Sequence, residues 1–146
     1  MVAVAGKRGE RLGLGAMTKT LTIIGQNIRD IPSFYVEINR VFMTGAEFQL
    51  GDSLDALNDM LHGGYGAISG REPVRIVWHD MAASRMALGL EATRAFLAGK
   101  LQRPDVFNVD LIGRQLDALE GGRGQTYFDI ILEIIGDHPN IQLVSA

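Results

Sequence analysis

Asp52, Asp55 and Asp59 fall at i, i+3 and i+7 inside a stretch, Val41 to Gly70, that runs thirty residues without a Lys or Arg. Glu47 is the remaining carboxylate there. Carboxylates gathered in this way can bind a hard cation, move protons, or meet the Arg and Lys of another protein. At about 100° per residue the aspartates share a stripe with His62, while Leu54, Leu57 and Leu61 occupy the opposite side. One face packs and the other repels itself. Like charges at this spacing cost roughly 0.2–0.5 kcal/mol per pair, and Asp59 lies in the last turns, where the helix dipole disfavours an anion. The free chain gains nothing from the stripe, whereas a cationic partner is attracted to it and set in register by it. A charged face that is simply solvated is the plainer alternative.

Other candidate chemistry is weaker. His79-Asp80 and Asp137-His138 have acid–base residue types, yet neighbours along a strand point to opposite faces and no third group is placed by sequence. Gly63 to Arg71 is Gly-rich but lacks the Lys-Ser/Thr of a phosphate loop. Three aspartates on a helix offer oxygen to a divalent ion, but helical spacing alone does not wrap one, so no metal or cofactor is expected. The chain contains no cysteine, which excludes disulfides, thiolate catalysis and Cys-based zinc sites. A formal charge of −3 argues against direct nucleic-acid binding, and no apolar run approaches the roughly 20 residues that cross a bilayer.

The elements that must position the stripe are legible. With 146 residues, 47% apolar and 21% charged, the chain suits one globular domain. Thr20 to Ile24 reads as a buried strand closed by Gly25. Pro32 suits the first turn of a helix carrying Phe34, Ile38, Val41 and Phe42 on one face, and Gly45 ends it. Ser53 is a good N-cap for the acidic helix, Ser53 to His62, which Gly63, Gly64 and Gly66 stop. Pro73 to Trp78 is a second strand, followed by helices at Met81 to Leu88, Leu90 to Leu101 and Val109 to Leu119, with Asn108 as the last one's N-cap. Beyond a Gly-rich loop, Glu120 to Gln125, the run Tyr127 to Ile135 puts Phe128, Ile131, Leu132 and Ile135 on one helical face and Asp129 and Glu133 on the other. Ile141 to Ser145 is a closing strand. Strands separated by helices imply an α/β domain with a three-stranded parallel sheet.

Residues 1–18 stand apart. The first sixteen hold Lys7, Arg8 and Arg11 against Glu10 alone, with four glycines and no periodicity, and are expected to be a disordered extension rather than a signal peptide. Met17 precedes the first strand and is a candidate second start. From there the chain would carry 11 basic and 16 acidic residues, net −5, since three of the 14 basic and one of the 17 acidic residues precede it.

The run Gly51-Asp52-Ser53-Leu54-Asp55-Ala56-Leu57-Asn58-Asp59-Met60-Leu61 resembles the barstar family of ribonuclease inhibitors. The family's pattern is Gly, an acidic residue, a polar residue, Leu-Asp-Ala-Leu, an aromatic, Asp, any residue, Leu. Gly25 through Ile31 after the opening strand, Val77-Trp78 with Ser84-Arg85, and Phe128 to Ser145 agree in order. The resemblance covers most of 19–88 and 126–146 and leaves a helical insertion, about 89–125, before the last helix of a single domain spanning 19–146. It implies a three-stranded parallel sheet flanked by helices, with the acidic helix and its adjoining loops plugging a ribonuclease active site. Asp55 and Asp59 match the inhibitory aspartates, Gly51 the glycine before them, and Glu133 a glutamate on the last helix that also reaches the enzyme. Asp52 holds the pattern's acidic position. Asn58 stands where the family has an aromatic, and Gln49 where it has a loop tyrosine. Tyr65 supplies an aromatic after the helix, one register off.

The reading that follows is a cytoplasmic, monomeric, non-catalytic inhibitor, of immunity or antitoxin type, whose protein partner is a basic ribonuclease of the secreted or toxin kind. Its partner-binding residues are Gly51, Asp52, Asp55, Asn58, Asp59, Tyr65 and Glu133. Two alternatives come from other classes: a non-inhibitory protein-interaction module that uses the insertion, and a carboxylate enzyme with a metal.

Overall fold

A computed structural model describes residues 18–146. The expected disordered extension and the second start at Met17 concern residues 1–17, which lie outside the described residues. Strand β1, Lys19–Ile24, leads through a 3-10 turn, Gly25–Asn27, into helix α1, Ile31–Phe42, and then α2, Leu54–Leu61. Next come β2, Val74–His79, and the helices α3, Met81–Ala87, α4, Leu90–Leu101, and α5, Val109–Glu120. Helix α6, Tyr127–Gly136, and strand β3, Ile141–Ser145, close the chain. The sheet order is β1-β2-β3 with both pairs parallel, and Ile76 sits opposite Leu21 on one side and Leu143 on the other. The architecture is the α/β, barstar-like one that the sequence implies, with extra helices ahead of the last one.

Alternation along β2 decides which face is the core. Val74, Ile76 and Trp78 are buried, while Arg75 and Val77 are only half-buried. Against that face α1 brings Phe34, Tyr35, Ile38 and Phe42, α2 brings Leu57, Met60 and Leu61, and α6 brings Phe128, Ile131 and Ile135. Burying each such large side chain contributes about 1.5–3 kcal/mol. Trp78 is the hub: its ring stacks on Phe34 at 6.3 Å and meets Phe128 edge-on at 5.6 Å, and its Nε1–H donates to Ser84 Oγ at 2.9 Å. Gly25 is required where the 3-10 turn crosses the end of β2, because a Cβ there would lie 2.4 Å from the His79 and Asp80 carbonyl oxygens.

Helix starts follow local chemistry. Asp30 and Ser33 form a reciprocal capping box on α1, Ser53 accepts from the Ala56 N–H on α2, and Asn108 accepts from the Leu111 N–H on α5. Helices α4 and α5 pack on each other around a small core of their own, Leu97, Ile112 and Leu119. Thr93 of α4 joins this hairpin to the main body. Its Oγ1 accepts from the buried Tyr127 N–H at 2.7 Å while donating to the Gly89 carbonyl at 2.7 Å, so the hairpin supplies a cap to the first turn of α6.

Candidate functional site

Helix α2 is held by its apolar side. Leu57, Met60 and Leu61 are about 1% exposed, whereas Asp52, Asp55, Asp59 and His62 are all exposed. Leu54 is only half-buried, and Met60 takes the third core position instead. Asp52 precedes the N-cap and therefore lies on the entering loop, outside the helix that carries Asp55 and Asp59. Among the described residues, none of the three aspartates makes an ion pair or a side-chain hydrogen bond.

Carboxylates that serve the fold look different. Glu37 of α1 is 2% exposed and accepts from Arg40 at 2.6 Å, from the Ile24 N–H at 2.7 Å and from Asn27 at 3.0 Å, which fixes the end of β1 and the turn after it. Burial pushes its carboxyl up, but the hydrogen bonds from Arg40, Ile24 and Asn27 outweigh that and hold it below the usual carboxylate range. Glu72 accepts from Lys19 and the Ser69 N–H, and Glu120 and Glu91 both pair with Arg94. Lys19, Arg40 and Arg94 are thus each paired with an acid outside the stripe.

A cation does approach its N-terminal end. Lys100 of α4 shares a cleft with Asp52 and Asp55, an arrangement with no local signature in the sequence. Its Nζ lies 4.4 Å from the centre of the Phe96 ring and 5.2 Å from that of Phe107, over aromatic faces and without an ion pair among the described residues.

The other expected contact residues vary in setting. Gly51 is exposed, and a Cβ there would meet nothing within 4 Å, so local packing does not require the glycine. Asn58 is half-buried, and its Oδ1 lies 2.9 Å from Nε2 of His138, in the loop between α6 and β3. Tyr65 is half-buried with its ring 5.0 Å from that of Phe48, which is 50% exposed on the loop before α2. Glu133 is exposed on α6 and accepts from Gln125 Nε2 at 3.0 Å.

His138, adjacent to Asp137 in the sequence, is only 5% exposed, and its ring meets that of His62 edge-on at 4.7 Å. Burial pushes its imidazole down, the neighbouring His62 pushes the same way, and Asp137 opposes them. Both residues of the His79-Asp80 pair are exposed, and Asp80 has φ 52°, in the left-handed region. Among the described residues no group of three His, Asp or Glu side chains is arranged to hold a metal ion, and no helix is long and apolar enough to cross a membrane.

A three-stranded parallel sheet with an acidic helix displayed on one flank defines a small α/β domain whose most distinctive surface is electrostatic. Residues 18–99 match the family model of barstar, the barnase inhibitor, and this is more than half of the 146-residue chain. The chain belongs to the barstar family. The match runs past residue 88 into α4, so the helix taken as the start of the insertion lies largely inside it. Helix α6 and β3 lie beyond the match but complete the core and the sheet. No curated protein matches the chain.

Proposed function

We propose that this protein inhibits a basic ribonuclease by laying α2 and its flanking loops across the enzyme's active site. The observation that carries the reading is that Asp52, Asp55 and Asp59 are exposed and unpaired among the described residues while the acids that serve the fold are paired. A ribonuclease cleft holds its phosphodiester with Arg, Lys and His, and a carboxylate accepts the same paired, charge-assisted hydrogen bonds as a phosphate. Asp55 and Asp59 stand in for substrate phosphates, with Asp52 and Glu133 extending the negative field. Gly51 lets the enzyme approach the backbone, and Tyr65, leaning on Phe48, supplies the flanking aromatic contact. The protein acts as a monomer without a cofactor, in the cytoplasm of the cell that makes the nuclease, as an immunity or antitoxin partner does.

The test is inhibition of purified basic ribonucleases, barnase first, by the full chain and by Asp55→Ala and Asp59→Ala. Salt-sensitive inhibition that both substitutions weaken, with unchanged melting temperature, supports the reading. A second reading, a non-inhibitory interaction module, is favoured by the internal bond of Asn58 to His138. It would be preferred if a captured partner bound equally well to both variants.

A further inference from the structure

The cleft beside the N-terminal end of α2 is built to hold a positive charge, and the free protein already holds one there. Its lining includes the exposed Asp52 and Asp55 from the α2 side and Phe96 and Phe107 from the α4–α5 hairpin. Tyr127 forms part of the floor, with its hydroxyl bonded to Tyr35. The cleft encloses about 470 Å³, within the roughly 300–1,000 Å³ usual for small-ligand sites and ample for one long side chain. Lys100 enters it with Nζ over both rings. An ammonium over an aromatic face is attracted by the ring quadrupole, but in this position it forms no ion pair with either aspartate among the described residues. The two halves of a cation site are thus both present, and the resident cation uses only one of them.

Guanidinium fits the whole site better than ammonium. Its planar fork can accept an aromatic face on one side while donating paired hydrogen bonds to a carboxylate at its edge, which a compact ammonium cannot do. Displacing Lys100 need not strand its charge. An adjoining hollow of about 280 Å³ shares Phe96, Lys100 and Tyr127 with the cleft and is lined by Gln115 and Gln125, whose amide oxygens can accept from the ammonium.

We propose that this cleft receives one arginine side chain of the partner protein, between the carboxylates of Asp52 and Asp55 and the ring of Phe107, and that Lys100 is the displaceable occupant that fills it in the free protein. The partner is taken from the inhibitory reading, whereas the chemistry of the cleft does not depend on it. Lys100 then acts as a built-in competitor that raises the threshold for binding, and the α4–α5 hairpin becomes a specificity element beside the acidic helix.

The experiment is an amide NMR titration of the full chain with N-acetyl-arginine amide, with N-acetyl-lysine amide as the comparison. Shifts are expected at residues 52–55 and around Phe107, stronger for the arginine probe. Lys100→Met, which keeps the aliphatic stem, should bind it roughly threefold to tenfold tighter, the span expected from losing a cation–π competitor. Asp55→Asn, an exposed change that leaves packing alone, should abolish those shifts. Equal or weaker binding by Lys100→Met, shifts elsewhere, or indifference to Asp55→Asn would each overturn the proposal. Ribonuclease inhibition by the same variants separates the two ideas. Inhibition that needs Asp59 while the probe ignores Lys100 leaves the inhibitory reading standing alone. Probe binding that behaves as expected in a protein that inhibits no ribonuclease leaves the cation site standing alone.

Discussion

The two ends of α2 are built on opposite principles. At its C-terminal end Asn58 is tied to His138 and His62 lies edge-on to the same ring, so the helix is fastened to the loop between α6 and β3. At its N-terminal end Asp52 and Asp55 stand over an open cleft whose far wall, Phe96, Lys100 and Phe107, comes from the α4–α5 hairpin. The comparison shows how a helix of eight residues can display self-repelling charge. Anchoring one end and one face fixes the geometry, so little ordering entropy is lost when a partner arrives.

The largest expected effect falls on the displayed charges. Asp59→Ala and Asp55→Ala should each weaken association with an inhibited ribonuclease by at least about 2 kcal/mol, a range set largely by the barnase–barstar pair itself and carried over to this family member. Surface plasmon resonance at two salt concentrations measures it, and a change within a factor of two would place the contact elsewhere.

The cleft end can be loosened independently of the charges. Thr93→Val removes the acceptor for the buried Tyr127 N–H and should lower unfolding free energy by about 1–3 kcal/mol, the cost of an unsatisfied buried donor. Urea denaturation reads the loss, and hydrogen exchange should rise first in α4 and the first turn of α6. An unchanged midpoint would mean that water caps α6 as well as Thr93 does.

At the fastened end, Asn58→Ala should cost about 0.5–1.5 kcal/mol, the net worth of one hydrogen bond, without exposing the apolar face of α2. Equal stability of mutant and parent would show that the bond to His138 contributes nothing. The same end carries a pH signature. Because burial, with His62, holds the His138 imidazole below its ordinary value, the unfolded chain takes up the proton more readily than the folded one. This contribution is complete above about pH 6.5, the unfolded value, and is lost as pH falls from there toward the lower folded value. His138→Gln should flatten stability between pH 7.5 and 5.5, and a parental slope retained by the variant would assign it to another group.

Asp59→Asn gives the smallest effect, within about 0.5 kcal/mol and on the stabilising side, since it relieves repulsion and an unfavourable dipole contact. A loss beyond about 1 kcal/mol in thermal melts would reveal a structural partner for Asp59.

Much of this was legible from short-range signals. Ser53 as N-cap, the face of Leu57 and Leu61, and the strand expected over Pro73 to Trp78 and found at Val74–His79 follow from capping chemistry and from periods of 3.6 and 2, which act within a few residues. The isoleucine-rich run from Tyr127 is helical, as its periodicity implies, and the Thr126 and Asp129 side chains cap its first turn reciprocally. Asn58 with His138 was not legible, since the pair is 80 positions apart and neither side chain has a local pattern that names the other. Phe48 and Lys100 carry no local pattern that places them beside Tyr65 or the acidic helix.

By itself the sequence determined the order and type of the strands and helices, that the sheet is parallel, and that one helix carries its acids on the side opposite its leucines. Only the tertiary structure decided which acids remain available. Glu37 and Asp55 are both helical carboxylates. Long-range packing delivers a backbone N–H and Asn27 to the first, beside its helix neighbour Arg40, and only a cleft with a cation held over aromatic rings to the second. Charge is written in the residue type, but its neutralisation depends on distance, and distances between segments far apart in the chain are fixed by folding.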